Sequence, residues 1–448
     1  MNPSAKKAAS ARETALRVLV SCRTNGAWAD AALKAQLSRD GLSGPDAALC
    51  SRIVYGVMQN QLLLDFYIGA YCSQKPDHLQ PPLLEILRIG AYQILFLEKV
   101  PDSAAVNTSV ELAKLAKRGQ ASGLVNAVLR KLSQNKDALP AIPDRDAERY
   151  LSIRYSHPKW LVKRLLALLD REEAESFLAA GNGVAPLTVQ VNPLKTTPEA
   201  LCAELMEGGV TVRPHPWVPG CLELSGAGDL TRIPAFQAGK FLVQDPAARL
   251  VSLIADVRPG QRLLDVCAAP GGKSFSAAFA MEDTGTILAC DLHENKLKRV
   301  GEGAARLGLG CIETAAADGR KRNPDWVESF DVVLVDAPCS GLGIIRKKPD
   351  ARYKKLDELF ALPVIQAAIL DNAAAYVRPG GTLVYSTCTI LPEENGQVTD
   401  AFLAEHPDFS RESFTLPQPV GETDGQLTLW PQRHGTDGFY ICRMRRQG

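Results

Sequence analysis

The chain has no hydrophobic run approaching the ~18 residues a membrane span needs, although 46% of its 448 residues are hydrophobic. The one apolar stretch near the start, residues 16–20, is broken by Arg17 and is too short for a secretory signal. The eleven cysteines are odd in number, scattered, and contain no Cys-x-x-Cys pair. That pattern excludes a disulfide framework and a zinc site, and it implies a reducing, cytoplasmic setting. The six histidines are equally dispersed, so no metal is expected. Internal repeats and low-complexity segments are absent. Net charge is also missing, at +1, but this balance hides an asymmetry. Residues 1–140 hold seventeen Lys and Arg against eleven Asp and Glu, a net +6, which leaves −5 for the rest. A basic segment joined to an acidic one points to a polyanionic partner.

At this length about three domains are expected. Residues 12–132 read as helical. In 121–132 the apolar residues Leu124, Val125, Val128, Leu129 and Leu132 fall on one helix face. The preceding helix turns Val106, Val110 and Ala113 inward, with Ser103 as its expected N-cap and Lys114, Lys117 and Arg118 on its other side. Domain one is therefore an α-bundle over 1–140, followed by a linker at 135–150. Residues 150–245 read as a small α+β module. It holds a helix from His157-Pro-Lys-Trp160 to about 180, a strand at 187–191, a helix at 198–206, and short strands near Val210 and Phe241. From 246 to 448 strands and helices alternate. Strands are expected near 262–267, 285–291, 310–316, 330–336 and 381–387, and helices near 273–281, 294–307, 361–377 and 393–406. Such alternation implies a doubly wound, Rossmann-like α/β sheet with right-handed crossovers. Two last strands, near Leu427 and Tyr440, read as a hairpin at one edge.

Three strand ends carry the chemistry-bearing residues. Leu263-Leu-Asp-Val266 leads into Cys267-Ala268-Ala269-Pro270-Gly271-Gly272-Lys273, a glycine turn suited to a small polar ligand. Val332-Val-Leu-Val335 leads into Asp336-Ala-Pro-Cys339, and Thr382-Leu-Val-Tyr385 into Ser386-Thr-Cys388-Thr389. Ligands of open α/β sheets bind beyond the carboxyl ends of the strands, so both thiols aim at one crevice. A P-loop would need a glycine where Cys267 stands, and a dinucleotide fold needs Gly-x-Gly-x-x-Gly, which is absent. S-adenosylmethionine fits better: Asp291, 20 residues after Gly271 at the second strand end, suits its ribose, and Asp318 after the third suits its adenine amino group. Two thiols beside such a cofactor suggest covalent activation of a carbon that must accept a methyl group.

These motifs resemble those of the RNA cytosine-5 methyltransferases (the NOL1/NOP2/Sun family), whose closing motif is similar to Asp437-Gly-Phe-Tyr440. The basic bundle, with Leu87-Arg-Ile-Gly-Ala-Tyr-Gln93, Val100-Pro101 and Val125-Asn-Ala-Val-Leu-Arg130, resembles NusB-type antitermination domains. The combination covers nearly the whole chain. It implies a monomeric enzyme that methylates C5 of a cytosine in small-subunit (16S) ribosomal RNA. By this resemblance Cys388 is the nucleophile and Cys339 assists release of the covalent intermediate. Asp336 holds the cytosine N3/N4 edge or the cofactor's amino group, and Lys273 steadies the base carbonyl or the loop. Thr389 stands where Ser is common, Lys347-Lys348 where Arg leads, and Pro246 interrupts the segment after Asp245; these departures bear on substrate contacts. The base must be unpaired or flipped out to react. Phosphate contacts are expected from Lys114, Lys117, Arg118, Arg130, Lys131, Arg346 and Lys347. The rivals are a DNA cytosine methyltransferase using Cys339 and a non-catalytic RNA-binding factor.

Overall fold

The computed structural model describes residues 9–354 and 356–448. They form two compact units. One comprises the chain to Gly183 together with the segment Ile345–Tyr353; the other comprises Val184–Ile344 and Lys354–Gly448. Among the described residues no helix is long and apolar enough to cross a membrane, and no group of three or more His, Cys, Asp or Glu could hold a metal ion.

The first unit is helical: α1 (Ala11–Asn25), α2 (Ala29–Asp40), α3 (Gly44–Gln59), α4 (Gln61–Tyr71), α5 (Pro81–Phe96), α6 (Asp102–Leu115), α7 (Ser122–Gln134), α8 (Ala147–Arg154), α9 (Lys159–Leu168) and α10 (Arg171–Ala180). In α7, Val125, Val128, Leu129 and Leu132 are buried, as the periodicity requires, while Leu124 is half-buried. Truncating one such residue, Leu129→Ala, costs about 2–5 kcal/mol. Helix α6 starts one residue before Ser103. Pro101, with φ −58° and ψ 137°, ends the extended segment, so Ser103 lies within the helix and is not its cap. The single helix expected after Trp160 is two, because the Asp170 carboxylate accepts the Glu173 N–H at 2.8 Å and starts a new N-terminus. Helices α8–α10, read from sequence with the middle module and its linker, cluster with this helical unit. Arg88, in the motif at 87–93, is buried and bound to Asp65 and Glu85 at 2.7 and 2.6 Å, so it holds α4 to α5.

The segment Ile345–Tyr353 belongs to this unit through Arg352, which is fully buried. Its guanidinium donates to the carbonyls of Ser156 and Gly181 at 3.1 Å and to Asn182 Oδ1 at 2.9 Å.

The second unit starts with a four-stranded antiparallel sheet in the order β2-β3-β1-β4, built from β1 (Leu187–Val191), β2 (Thr211–Pro214), β3 (Cys221–Ser225) and β4 (Phe241–Val243). Helix α11 (Pro198–Glu207) buries Leu201 and Leu205 among the apolar residues of this sheet. Strand β3 was not legible in the sequence; its polar centre, Glu223, masks it. Next come α12 (Pro234–Gln237) and α13 (Pro246–Ile254), then the large sheet. That sheet contains β5 (Arg262–Asp265), β6 (Thr286–Asp291), β7 (Ile312–Ala316), β8 (Phe330–Asp336) and β9 (Val377–Thr387), with α14 (Gly272–Ala280) and α15 (Glu294–Leu307) as crossovers. Later strands are β10 (Phe409–Arg411), β11 (Phe414–Leu416), β12 (Gly421–Thr423), β13 (Gln426–Leu429) and β14 (Phe439–Arg446).

The order β10-β14-β9-β8-β5-β6-β7 places β5 between β8 and β6. The chain runs outward from β5 to β7 and returns to the other side of β5 as β8, so the topological switch point lies between β5 and β8. Strands β5 to β9 are parallel. β14 is antiparallel to β9 on one side and to β10 and β13 on the other. The pair expected as an edge hairpin therefore has its second strand inside the sheet. Its residues Phe439 to Met444 are buried apart from Arg443, consistent with that interior place.

Candidate active site

The three strand ends named from sequence converge at the switch point. β5 ends at Asp265, which is completely buried and accepts the Ser274 hydroxyl at 2.7 Å. Burial, eased by that hydrogen bond, raises its carboxyl to about 6. The turn that follows is tight. Gly271 has φ +107°, and a Cβ there would lie 2.4 Å from the Phe275 ring. α14 starts at Gly272, so its first backbone N–H groups lack intrahelical acceptors.

Register aligns the two cysteine turns. Asp336 of β8 lies directly opposite Ser386 of β9, and the Ala337 N–H donates to the Ser386 carbonyl at 2.9 Å. Cys339 and Cys388 leave the sheet at one height as a result, and their Sγ atoms stand 3.2 Å apart. The hydrogen bond from Cys339 draws the Cys388 thiol below its ordinary value despite opposing burial; the Lys273 charge adds to the lowering. Cys339 is driven the other way, first by that same bond and then by burial. The two shifts run in opposite directions, so Cys388 is the thiol that ionises more readily and Cys339 the one that keeps its proton.

Lys273 reaches across from the glycine turn. Its Nζ lies 2.6 Å from Asp336 Oδ2 and 5.2 Å from the centre of the Phe439 ring. Burial works against its charge, but Asp336 and Asp265 overcome it and raise the ammonium pKa. The other Asp336 oxygen accepts the Ser386 hydroxyl at 3.0 Å. The closing motif completes the wall. Tyr440 pairs with Thr387, and the Gly438 N–H donates to the Gly343 carbonyl at 2.9 Å. A Cβ on Gly343 would lie 1.8 Å from the Gly438 carbonyl oxygen, so only glycine permits this contact.

Asp291, at the end of β6, is largely buried, and its Oδ1 accepts the His293 N–H at 3.0 Å. Asp318, after β7, is half-buried and gripped by Arg320, whose Nε and Nη2 each donate at 2.9 Å. That pairing holds its carboxyl well below the usual range. Cys267 differs from the other two thiols: it packs beside Leu264, Val266 and Cys290, and burial raises its pKa, with Asp265, Asp336 and Asp291 adding to the effect. The remaining turn residues, Ala268, Ala269 and Pro270, contribute backbone; the Ala268 N–H donates to the Cys290 carbonyl at 2.7 Å.

The residues expected to contact RNA all belong to the helical unit. Lys114 is exposed and paired with Glu111 at 2.7 Å, and Arg130 donates to Asn126 at 3.0 Å. Lys117, Arg118 and Lys131 are exposed, while Arg346 and Lys347 are half-buried. Sequence reasoning missed Ser340, Gln366, Glu394 and Asn395, which surround the cysteine turns. The signal available was the polar run Glu393-Glu394-Asn395 directly after an apolar strand and turn.

The chain is similar to known proteins over nearly its whole length. The family model for the 16S rRNA methyltransferase RsmB/F matches residues 252–445, the NusB family model matches 9–134, and the Methyltr_RsmF/B-like, ferredoxin-like domain matches 157–231. The chain is similar to the "Probable ribosomal RNA small subunit methyltransferase B" of Bacillus subtilis strain 168, at 37% identity over 99% of this chain and 100% of that one. It is also similar to the ribosomal RNA small subunit methyltransferase B of Klebsiella pneumoniae subsp. pneumoniae, at 34% over 90% and 91%. Among solved structures, PH0851 superposes with a TM-score of 0.80 at 27% identity, over 99% of this chain and 100% of that one. A methyltransferase homolog from Pyrococcus horikoshii gives 0.58 at 28%, over 66% and 97%.

Proposed function

Since the chain belongs to the RsmB/F family of 16S rRNA methyltransferases, we propose that it methylates C5 of a cytosine in small-subunit ribosomal RNA, through a covalent bond between Cys388 and C6 of the base. The observation that carries this reading is the thiol pair, 3.2 Å apart, with opposite pKa shifts. C5 of cytosine is a weak nucleophile. Addition of the Cys388 thiolate to C6 makes C5 electron-rich enough to take a methyl group. When bound, S-adenosylmethionine supplies that methyl as an electrophilic sulfonium group.

The residues present fit this cofactor. The bare backbone at Gly271 and Gly272 and the N-terminus of α14 suit its methionine end, Asp291 its ribose hydroxyls, and Asp318 and Asp336 its amino groups. The Asp336–Lys273 pair would hold the polar edge of the base beside Cys388. Once Cys388 is bonded to carbon, the thiolate that drove Cys339 upward is gone. Cys339 can then give its own proton to solvent, and the resulting thiolate accepts the C5 proton. Loss of that proton lets the Sγ–C6 bond break, with its electron pair returning to Cys388. The basic helical unit would grip phosphates and deliver an unpaired cytosine.

The test is labelled-methyl transfer to unmodified small-subunit rRNA, followed by mapping. Label at C5 of one cytosine is the expected result. Label on an exocyclic nitrogen or a ribose oxygen would overturn the covalent route, since neither position needs a C6 adduct.

A further inference from the structure

Beneath the two cysteine turns lie two adjacent residues to which the reaction above assigns no part. Glu394 and Asn395 are 1% and 2% exposed. Glu394 Oε2 accepts the Ser340 N–H at 2.8 Å and the Gln366 side-chain amide at 2.9 Å. The same Gln366 amide donates to the Pro338 carbonyl at 2.9 Å. Cys339 lies between Pro338 and Ser340, so its backbone is held on both sides. Asn395 faces the other turn. Its Oδ1 accepts the Thr387 hydroxyl at 2.5 Å, and its Nδ2 donates to the Thr389 carbonyl at 3.1 Å. Those residues flank Cys388 in the same way. The turns are joined directly by Ser340 Oγ and Thr389 Oγ1, 2.6 Å apart. The Tyr385 hydroxyl, donating to the Glu394 carbonyl at 2.7 Å, holds the dipeptide beneath β9.

We propose that Glu394 and Asn395 act as a clamp: they are positioning residues, touching neither base nor cofactor, that set the Cys339–Cys388 separation. Glu394 governs the Cys339 turn and Asn395 the Cys388 turn. The kinetic consequence rests on the two-thiol reaction proposed above, whereas the geometric claim does not. If the clamp holds, the two residues fail in different steps. Losing Glu394 impairs release, and losing Asn395 impairs attack.

Diamide oxidation of the full-length protein reads the geometry directly. Two S–H bonds break, one Sγ–Sγ bond forms, and diamide takes up two electrons and two protons. The Cys339–Cys388 linkage is identified by peptide mass mapping. Glu394→Ala and Asn395→Ala should slow this linkage at least ~10-fold, since displacing reactive groups by an ångström costs up to about 10²-fold in rate. Glu394→Gln should restore most of the rate, because a single oxygen carries both bonds. Asn395→Asp should not, because a carboxylate cannot donate to the Thr389 carbonyl. With rRNA and S-adenosylmethionine, Glu394→Ala should accumulate covalent RNA adduct, as Cys339→Ala is expected to, while Asn395→Ala should form little adduct. Linkage at the wild-type rate in both alanine variants would overturn the clamp. So would parallel loss of linkage and of S-adenosylmethionine binding, the mark of general unfolding. If Cys339→Ala itself traps no adduct, the two-thiol reaction falls, and the diamide rates still decide the clamp.

Discussion

Three cysteines follow neighbouring strands of one sheet, yet their surroundings differ in kind. Cys267 follows β5, packs among Leu264, Val266 and Cys290, and feels Asp265, Asp291 and Asp336; burial and negative charge both keep it protonated. Cys388 follows β9 two strands away and is equally shielded from water, but it shares a hydrogen bond with Cys339 and feels the field of Lys273. A strand-end position therefore makes a thiol available without making it reactive. What separates the two is a hydrogen-bonding thiol from the turn after β8 and the Lys273 ammonium, which reaches from the start of α14 toward Cys388.

The largest break in this comparison should come from Cys388→Ala. Methyl transfer should fall by roughly 10³-fold or more, while S-adenosylmethionine binding, measured by calorimetry, stays largely intact. Substantial turnover by the purified variant would remove Cys388 as nucleophile.

Cys339→Ala should stop the reaction at a later point. With RNA and cofactor present, a denaturing gel should show a slow-migrating protein–RNA species, because attack proceeds and release does not. No such species, or one that depends on Cys339, would favour the alternative in which Cys339 attacks.

Lys273→Met should act on acidity. In the wild type Lys273 stabilises the thiolate, so Cys388 alkylation by iodoacetamide should rise with pH around a midpoint below the ordinary thiol value of 9.0. Removing the cation disfavours the charged form, so the midpoint should move to higher pH. An unmoved midpoint would leave the hydrogen bond from Cys339 as the sole cause. Asp291→Ala should weaken S-adenosylmethionine binding by about 1–3 kcal/mol, the cost of losing a charge-assisted hydrogen bond. Calorimetry showing unchanged affinity would place the ribose elsewhere.

Cys267→Ala should have the smallest effect. Its thiol serves packing, so turnover and the pH profile of alkylation at Cys388 should remain within about threefold of wild type, the loss of a small buried side chain being chiefly a stability effect. A collapse of activity in a folded variant would mean that the comparison between the two thiols is misdrawn.

Much of the site was legible because it is local. The glycine turn at 267–273 and the cysteine turns at 336–339 and 386–389 each lie within ten residues and directly follow an apolar strand. Glu394 was not legible, since its partners Ser340 and Gln366 lie 54 and 28 residues away. Asn395 has partners only 8 and 6 residues before it, Thr387 and Thr389, but meets them only because the chain folds back after β9. Arg346 and Lys347 show the same limit. By sequence they adjoin the Cys339 motif, yet their segment belongs to the helical unit, where Arg352 is buried. Cutting the chain near Tyr150 would strip that arginine of Gln59, so the role of the helical unit is better probed by substituting its exposed lysines and arginines.

By itself the sequence determined most of the strands and helices (though not β3 or the break between α9 and α10), which turns carry glycine, carboxylate and thiol, and that the first 140 of 448 residues are net basic. These follow from periodicity, residue chemistry and spacing over a few residues. Only the tertiary structure decided the strand order, with β8 returning beside β5, and the register that sets Asp336 opposite Ser386. Hydrogen bonding between strands about fifty residues apart depends on how the whole sheet closes. That closure brought two cysteines from separate turns to within 3.2 Å of each other.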